Sequence, residues 1–228
     1  MGKNDNGNNG RTELVFVVDR SGSMGGLESD TIGGFNSMLS KQRTIAGECR
    51  VTTLLFDHRI KTLHNHLDIR EVNDLTSRDY WVRGSTALLD AIGLAIDRMI
   101  VTQRHTAAAY RAQHVLFVII TDGYENASRR YSLHQIKQMI TYERERYHWE
   151  FVFLGANIDA EQTAGDFGVS PRCATDFHAD GQGIKASFEA VACAATAVRG
   201  GADLDDLSAP DFLGGVRDDY RSRRRMKR

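Results

Sequence analysis

The sequence has little proline, two residues in 228, and only three cysteines. Cys49, Cys173 and Cys193 form no C-x-x-C pair and leave an odd thiol, which argues against a disulfide framework. Free thiols of this kind fit a reducing compartment, with the side chains buried. No apolar run approaches the ~20 residues that a membrane span needs. The start of the chain, MGKNDNGNNG, lacks the apolar segment of a signal peptide and reads as a disordered leader over residues 1–10. Its Met-Gly opening is a poor myristoylation match, because Asn6 stands where Ser or Thr is wanted. There is no internal repeat, no Walker loop and no Rossmann glycine fingerprint. A nucleophile elbow is missing too, since Gly22 and Gly25 flank Ser23 in the wrong frame.

What is present is ordinary for a globular chain: 41% hydrophobic and 26% charged residues, with 21 glycines. A compact domain of this length buries roughly 70–75% of its extended-chain surface, so a full core needs no staples. The net charge of −1 conceals an asymmetry. Residues 217–228, RDDYRSRRRMKR, carry seven basic and two acidic side chains, so the rest of the chain carries −6. This basic end could meet an anionic partner, but it reads first as a disordered, solubilising tail. It lacks the interleaved aromatics that stack on bases, which argues against nucleic acid.

Strand-like and helix-like stretches alternate. Strands are expected at 13–19, 49–57, 59–67, 114–122, 149–157 and 173–177, the second and third as a hairpin and the last as an edge. The run HVLFVIITD is the most apolar and so reads as central, covered on both faces. Helices are expected at 28–43 with Ile32, Phe35 and Leu39 inward beside Met38, and at 85–100 with Leu88, Ile92, Ile96 and Met99 inward. Others are expected at 132–146 on Leu133, Ile136 and Ile140, at 159–168 ending at Gly168, and at 183–198 on Ile184, Phe188, Val191, Ala195 and Val198. This alternation implies an α/β fold: one doubly wound domain over residues 11–200, its mostly parallel central sheet covered by helices on both faces. Residues 201–228 form a C-terminal extension.

In such sheets ligands bind beyond the carboxyl ends of the strands. The stretch VVDRSGSMGG ends a strand at Asp19 and then presents Ser21 and Ser23 around Gly22, which suits a tight turn. Asp122 ends the central strand in IITDGYEN, and the loop RGSTALLDA brings Ser85 and Thr86 to the start of a helix. Taken singly, such residues cap turns and helices. Together they form an all-oxygen donor set suited to a hard ion such as Mg²⁺ or Mn²⁺. A second candidate, His64 and His66 on one strand face in HNH, could hold zinc, but with no Cys or third His nearby in sequence it reads first as a solvated hairpin.

DRSGS at 19–23, Thr86 in GSTALLDAI and Asp122 in TDG resemble the metal-ion-dependent adhesion site of von Willebrand factor type A domains. The resemblance covers residues 12–200 and implies the Rossmann-like fold of that family. It implies that Ser21, Ser23 and Thr86 contact Mg²⁺, or Mn²⁺ or Ca²⁺, directly, and that Asp19 and Asp122 act mainly through bound water. It further implies a protein-binding module and not an enzyme: the ion keeps an open position for an Asp or Glu of a partner protein. Two alternatives stand beside it. One is a scaffold or assembly subunit in which the ion only stiffens three loops. The other is Mg²⁺-dependent phosphotransfer of the dehalogenase type, disfavoured because Ser21 replaces its second Asp and the site loops hold no Lys. The expected setting is a bacterial cytoplasm, without membrane contact.

Overall fold

The structure, a computed structural model, describes residues 10–208 and 210–226. The leader read at residues 1–10 lies outside the described residues apart from Gly10. Six strands, β1 (Thr12–Asp19), β2 (Cys49–Phe56), β3 (Ile60–Asp68), β4 (His114–Thr121), β5 (Glu150–Gly155) and β6 (Ala174–Asp176), form one sheet in the order β3-β2-β1-β4-β5-β6. Every pairing is parallel except the β2–β3 hairpin. Six α-helices cover it: α1 (Glu28–Arg43), α2 (Leu88–His105), α3 (Leu133–Tyr147), α4 (Ala160–Asp166), α5 (Gly181–Arg199) and α6 (Gly214–Met226). This is the doubly wound α/β architecture that the alternation implies.

β1 and β4 lie side by side at the centre, in register from Thr12 against His114 to Val18 against Ile120. Leu14 to Val18 and Val115 to Ile120 are at most 1% exposed. Such strands must be covered on both faces, and burial of each large side chain contributes roughly 1.5–3 kcal/mol. On one face α1 packs through Phe35, Met38 and Leu39 with Thr31 and Gln42, while Ile32 is only partly buried. Its last carbonyls are closed by a residue of α5: Arg199, buried, donates to the carbonyl of Gln42 at 2.5 Å and to that of Ile45 at 2.8 Å. α2 and α5 bury the residues expected of them.

Four details depart from the sequence reading. Leu133 opens α3 but is 43% exposed; the inward residues there are Ile136, Ile140 and Glu143. Cys49 and Cys173 are buried free thiols, whereas Cys193 is exposed. The two histidines of HNH do not converge. A register irregularity in β2–β3 and a left-handed His66 (φ 55°) separate them. His64 is buried on Thr53 Oγ1 at 3.0 Å, and His66 Nδ1 lies 2.8 Å from Glu13 Oε1. Among the described residues no group of three or more His, Cys, Asp or Glu is arranged to hold a metal. No described helix is long and apolar enough to cross a membrane.

The fourth departure is the basic end, which is helical through Met226 and docked as far as Arg223. Leu213 and Val216 are buried, at 0% and 2% exposure. Arg217 donates to the carbonyls of Arg172 at 2.9 Å and Ala174 at 3.1 Å, closing the outer edge of the sheet at β6. Arg217 also pairs with Asp211, and Arg223 with Asp180 and Asp219.

At the opposite, amino end of the strands, burial pushes the Glu150 carboxyl from its ordinary 4.5 up to about 7, aided by the charges of Asp203 and Asp205. The folded chain therefore keeps this proton up to about pH 7, while the unfolded chain releases it near 4.5. The associated stability is full below pH 4.5 and is lost as pH rises to 7. At ~1.4 kcal/mol per unit this is at most about 3 kcal/mol. Glu150→Gln should thus gain in Tm relative to the parent protein as pH rises through that window. A Tm difference independent of pH in thermal melts would refute this.

Candidate metal centre

The parallel pairing of β1 and β4 carries Asp19 and Asp122 to the same rim of the sheet. Both are buried, at 0% and 1% exposure, and neither forms a salt bridge among the described residues. Asp19 is held on both oxygens. The backbone N–H of Ser21 donates to Oδ1 at 2.6 Å, and the hydroxyl of Thr121 donates across the strand pair to Oδ2 at 2.6 Å. Asp122 accepts the Ser23 hydroxyl on Oδ1 at 2.5 Å. Its Oδ2 is buried with no hydrogen-bond partner. Ser21 Oγ and Ser23 Oγ lie 3.0 Å apart.

Burial raises the pKa of Asp19, against the opposing bonds from Thr121 and Ser21. Burial likewise pushes Asp122 up to about 6, with the neighbouring Asp19 charge adding to the rise and the Ser23 bond opposing it. Two adjacent buried carboxylates without a cation are electrostatically unfavourable.

Thr86 joins this cluster. A methyl placed on Gly123 would stand 3.2 Å from Ser23 Oγ and 3.6 Å from Thr86 Oγ1, so both hydroxyls border the same glycine. Thr86 is 3% exposed and does not cap α2: the cap position is Ala87, and the first N–H groups of the helix go to Glu125 and Ser128 instead. Ser85 is exposed. All five residues singled out in the sequence, Asp19, Ser21, Ser23, Thr86 and Asp122, therefore come to one rim. The donor set is entirely hard oxygen, it carries two carboxylates with no counter-charge, and one buried oxygen lacks a partner. Those properties fit a divalent cation such as Mg²⁺ or Mn²⁺.

Several residues that build the site escape a reading of the sequence alone. Asn126 ties the Thr86 loop to the β4 loop: its Oδ1 accepts the Thr86 N–H at 2.9 Å, and its own N–H donates to the Thr86 carbonyl at 3.0 Å. Glu125 accepts the N–H groups of Leu89, Ala127 and Ser128. Asp90 accepts those of Arg129, Arg130 and Tyr131. Tyr80 donates to the Asp19 carbonyl at 2.6 Å. The turn after β1 is also tied, by the Gly22 N–H to the Gly84 carbonyl at 3.1 Å. The left-handed glycines here are Gly26 (φ 88°) and Gly84 (φ 67°), not Gly22. Thr121 escaped as well, although it had a signal in the sequence, a hydroxyl directly before Asp122 at the end of an apolar run.

No family model matches the chain, and no curated protein matches it in sequence. Solved structures do. Proximal thread matrix protein 1 from the mussel byssus, with a zinc-occupied MIDAS motif, aligns with a TM-score of 0.58 at 15% identity, over 82% of this chain and 46% of that one. Manganese-loaded TRAP protein of Plasmodium vivax aligns with a TM-score of 0.51 at 15% identity, over 78% of this chain and 72% of that one. The chain thus spans less than half the length of the byssus structure. The likeness establishes the fold, that of von Willebrand factor type A domains.

The Asn126 bridge is testable. Asn126→Ala leaves the buried Thr86 N–H without its acceptor, which costs about 1–3 kcal/mol. The urea midpoint, followed by circular dichroism, should fall accordingly with the m-value unchanged. A midpoint equal to that of the parent protein would show that the Thr86 loop holds its place without Asn126.

Proposed function

We propose that the chain is a protein-binding module whose rim holds one Mg²⁺ or Mn²⁺ ion and captures an acidic side chain of a partner. The observation that carries this reading is the Asp19–Asp122 pair: two buried carboxylates that no basic side chain answers among the described residues, with one oxygen of Asp122 unpartnered there. Ser21, Ser23 and Thr86 would hold the ion through their hydroxyls, and Asp19 and Asp122 would balance its charge. When bound, the ion supplies a Lewis-acidic open position for a carboxylate. Few direct carboxylate ligands keep it electron-poor and so receptive to an anion.

The chain's own residues prepare that encounter. Asp19, gripped by Thr121 and the Ser21 N–H, fixes the turn that presents both serines. Asn126 fixes the backbone of Thr86 while leaving its hydroxyl free of any capping role. The zinc- and manganese-loaded neighbours support a divalent ion at this fold's rim, and one of them is a matrix protein by name. A binding role accounts for these residues without turnover. A second reading has one observation in its favour: the three loops are already tied together by Asn126, Gly84 and Glu125. In that case the ion stiffens a scaffold, and partner binding persists in EDTA.

Calorimetric titration of EDTA-stripped protein should show one saturable site for Mg²⁺ or Mn²⁺ in the millimolar range or tighter. Asp122→Ala should abolish it, while Tm in EDTA holds or rises because the repulsion with Asp19 is gone. Absence of saturable binding by the parent protein would remove the proposal. A Tm far below the parent value for Asp122→Ala would make that residue structural.

Thr86→Ala should keep metal binding, but more weakly, since Ser21, Ser23 and both aspartates remain. With Mg²⁺ saturating, its affinity for an aspartate-bearing peptide should fall further than its affinity for the ion. Equal peptide affinity in variant and parent would show that the Thr86 hydroxyl takes no part in capture.

A further inference from the structure

Beside the hydroxyl cluster the rim carries a basic and aromatic platform for which a metal site has no use. Asp57 is fully buried at the end of β2 and faces two guanidinium groups. Arg83 Nε donates to its Oδ2 at 2.9 Å, and Arg20 Nε lies 3.1 Å from the same oxygen. The other oxygen accepts the backbone N–H of Arg59 at 2.7 Å and lies 3.2 Å from His58 Nδ1. One carboxylate thus answers two permanent cations, and positive charge is left over.

Both guanidiniums lie over Trp81, 5.5 Å (Arg20) and 4.5 Å (Arg83) from the ring centroid. Arg20 is sealed, with 3% of its side chain exposed, but the Arg83 side chain is 34% exposed and Trp81 is 43% exposed. Arg59 is exposed and makes no ion pair among the described residues. A tryptophan held in place by stacked cations and left open to water is the composition of an interface hot spot.

The platform is also wired to the candidate metal centre. The Arg83 N–H donates to the Arg20 carbonyl, the Gly22 N–H to that of Gly84 and the Ala87 N–H to that of Asp57, at 3.0, 3.1 and 3.0 Å. Trp81, Arg83 and Thr86 share one loop. A single ring with one reachable guanidinium on it, Arg83, and the exposed Arg59 on the turn that also binds Asp57 matches one or two side chains of a peptide, not the repeating phosphates of a nucleic acid.

We propose that this platform is the second contact of the module's ligand: an acidic protein segment that brings one carboxylate to the metal centre and a further Asp or Glu to Arg83 and Arg59 across the face of Trp81. The proposal rests on the metal-capture reading and deepens it from one acidic residue to a spaced pair.

The probes are blocked Gly/Ser peptides carrying either one aspartate or two at graded separations, with inorganic phosphate as a control. Each is titrated in Mg²⁺ and in EDTA. Binding is followed by calorimetry and by tryptophan fluorescence, since the other tryptophan, Trp149, is 6% exposed and shielded. In Mg²⁺ at least one separation should bind roughly tenfold tighter than the single-aspartate peptide, the gain expected of a second charged contact. Arg59→Ala, Arg83→Gln and Trp81→Leu should each shrink that advantage, with Mg²⁺ affinity retained as the control for folding.

The proposal is overturned if no separation gives an advantage, or if the advantage survives all three substitutions. It is overturned equally if phosphate alone perturbs Trp81 as strongly as the paired aspartates, which would make the platform a general anion site. A single-aspartate peptide that ignores Mg²⁺ removes the metal-capture reading instead, and that result is read separately from the ratio between peptides. Silence from every peptide removes both.

Discussion

The two carboxylates of Asp19 and Asp122 are the constraint around which the rim is organised. Parallel pairing of β1 with β4 sets them at one level, and the apolar strands behind them exclude water. Each donor that can reach them is used: Thr121 and the Ser21 N–H on Asp19, and Ser23 on Asp122. These bonds lower both pKa values, yet burial wins and both stay raised. Hydrogen bonds from neutral hydroxyls therefore do not settle the charge, and a divalent cation would. The nearest arginine in sequence, Arg20, is kept out of this role because Asp57 holds it on the other side of the turn.

That diversion gives Asp57 a clear part. Without a buried carboxylate at the end of β2, Arg20 would be free to neutralise Asp19 and compete with any metal. The pairing with Asp57 segregates the charges: carboxylates and hydroxyls on the β1–β4 side, guanidiniums on the β2 side. The loop of residues 80–87 spans the two halves. It is anchored at one end by Tyr80 on the Asp19 carbonyl and at the other by Thr86 on Asn126. A shift of this loop would move Trp81 and Thr86 together, which couples the two halves through backbone and not through charge.

How much of this the sequence revealed depends on which interactions are local. β1 and β4 were plain because their apolar runs leave no polar alternative, and the five candidate residues could be grouped because they lie where β1 and β4 end or just before α2. α6 was not. Its contact with the domain relies on Leu213 and Val216, on the Tyr220 ring against His178, and on guanidinium groups bonded to carbonyls and carboxylates, and a basic composition hides such a role. The separation of His64 from His66 depends on an irregularity in strand pairing, which no period-two pattern announces. Asn126 and Asp57 act on loops 40 and 26 residues away, Thr86 and Arg83, so no local spacing marks them.

The docking of α6 bears on what the module can recognise. The basic stretch of residues 217–228 suggests, as composition, a surface for polyanions. In the fold Arg217 is turned onto carbonyls of the sheet edge and onto Asp211, and Arg223 onto Asp180 and Asp219. Arg217 and Arg223 therefore serve cohesion, and the local charge they leave for a partner is small. At the rim near Asp19 and Asp122 the balance runs the other way. Arg20 and Arg83 share one carboxylate, Arg59 has no counter-ion among the described residues, and Trp81 stands open beside Arg20 and Arg83. Cation count alone would place the anionic partner at the C-terminus. Arg217 and Arg223 are already held there by carboxylates and carbonyls, whereas at the rim the exposed ring of Trp81 lies under the partly exposed guanidinium of Arg83.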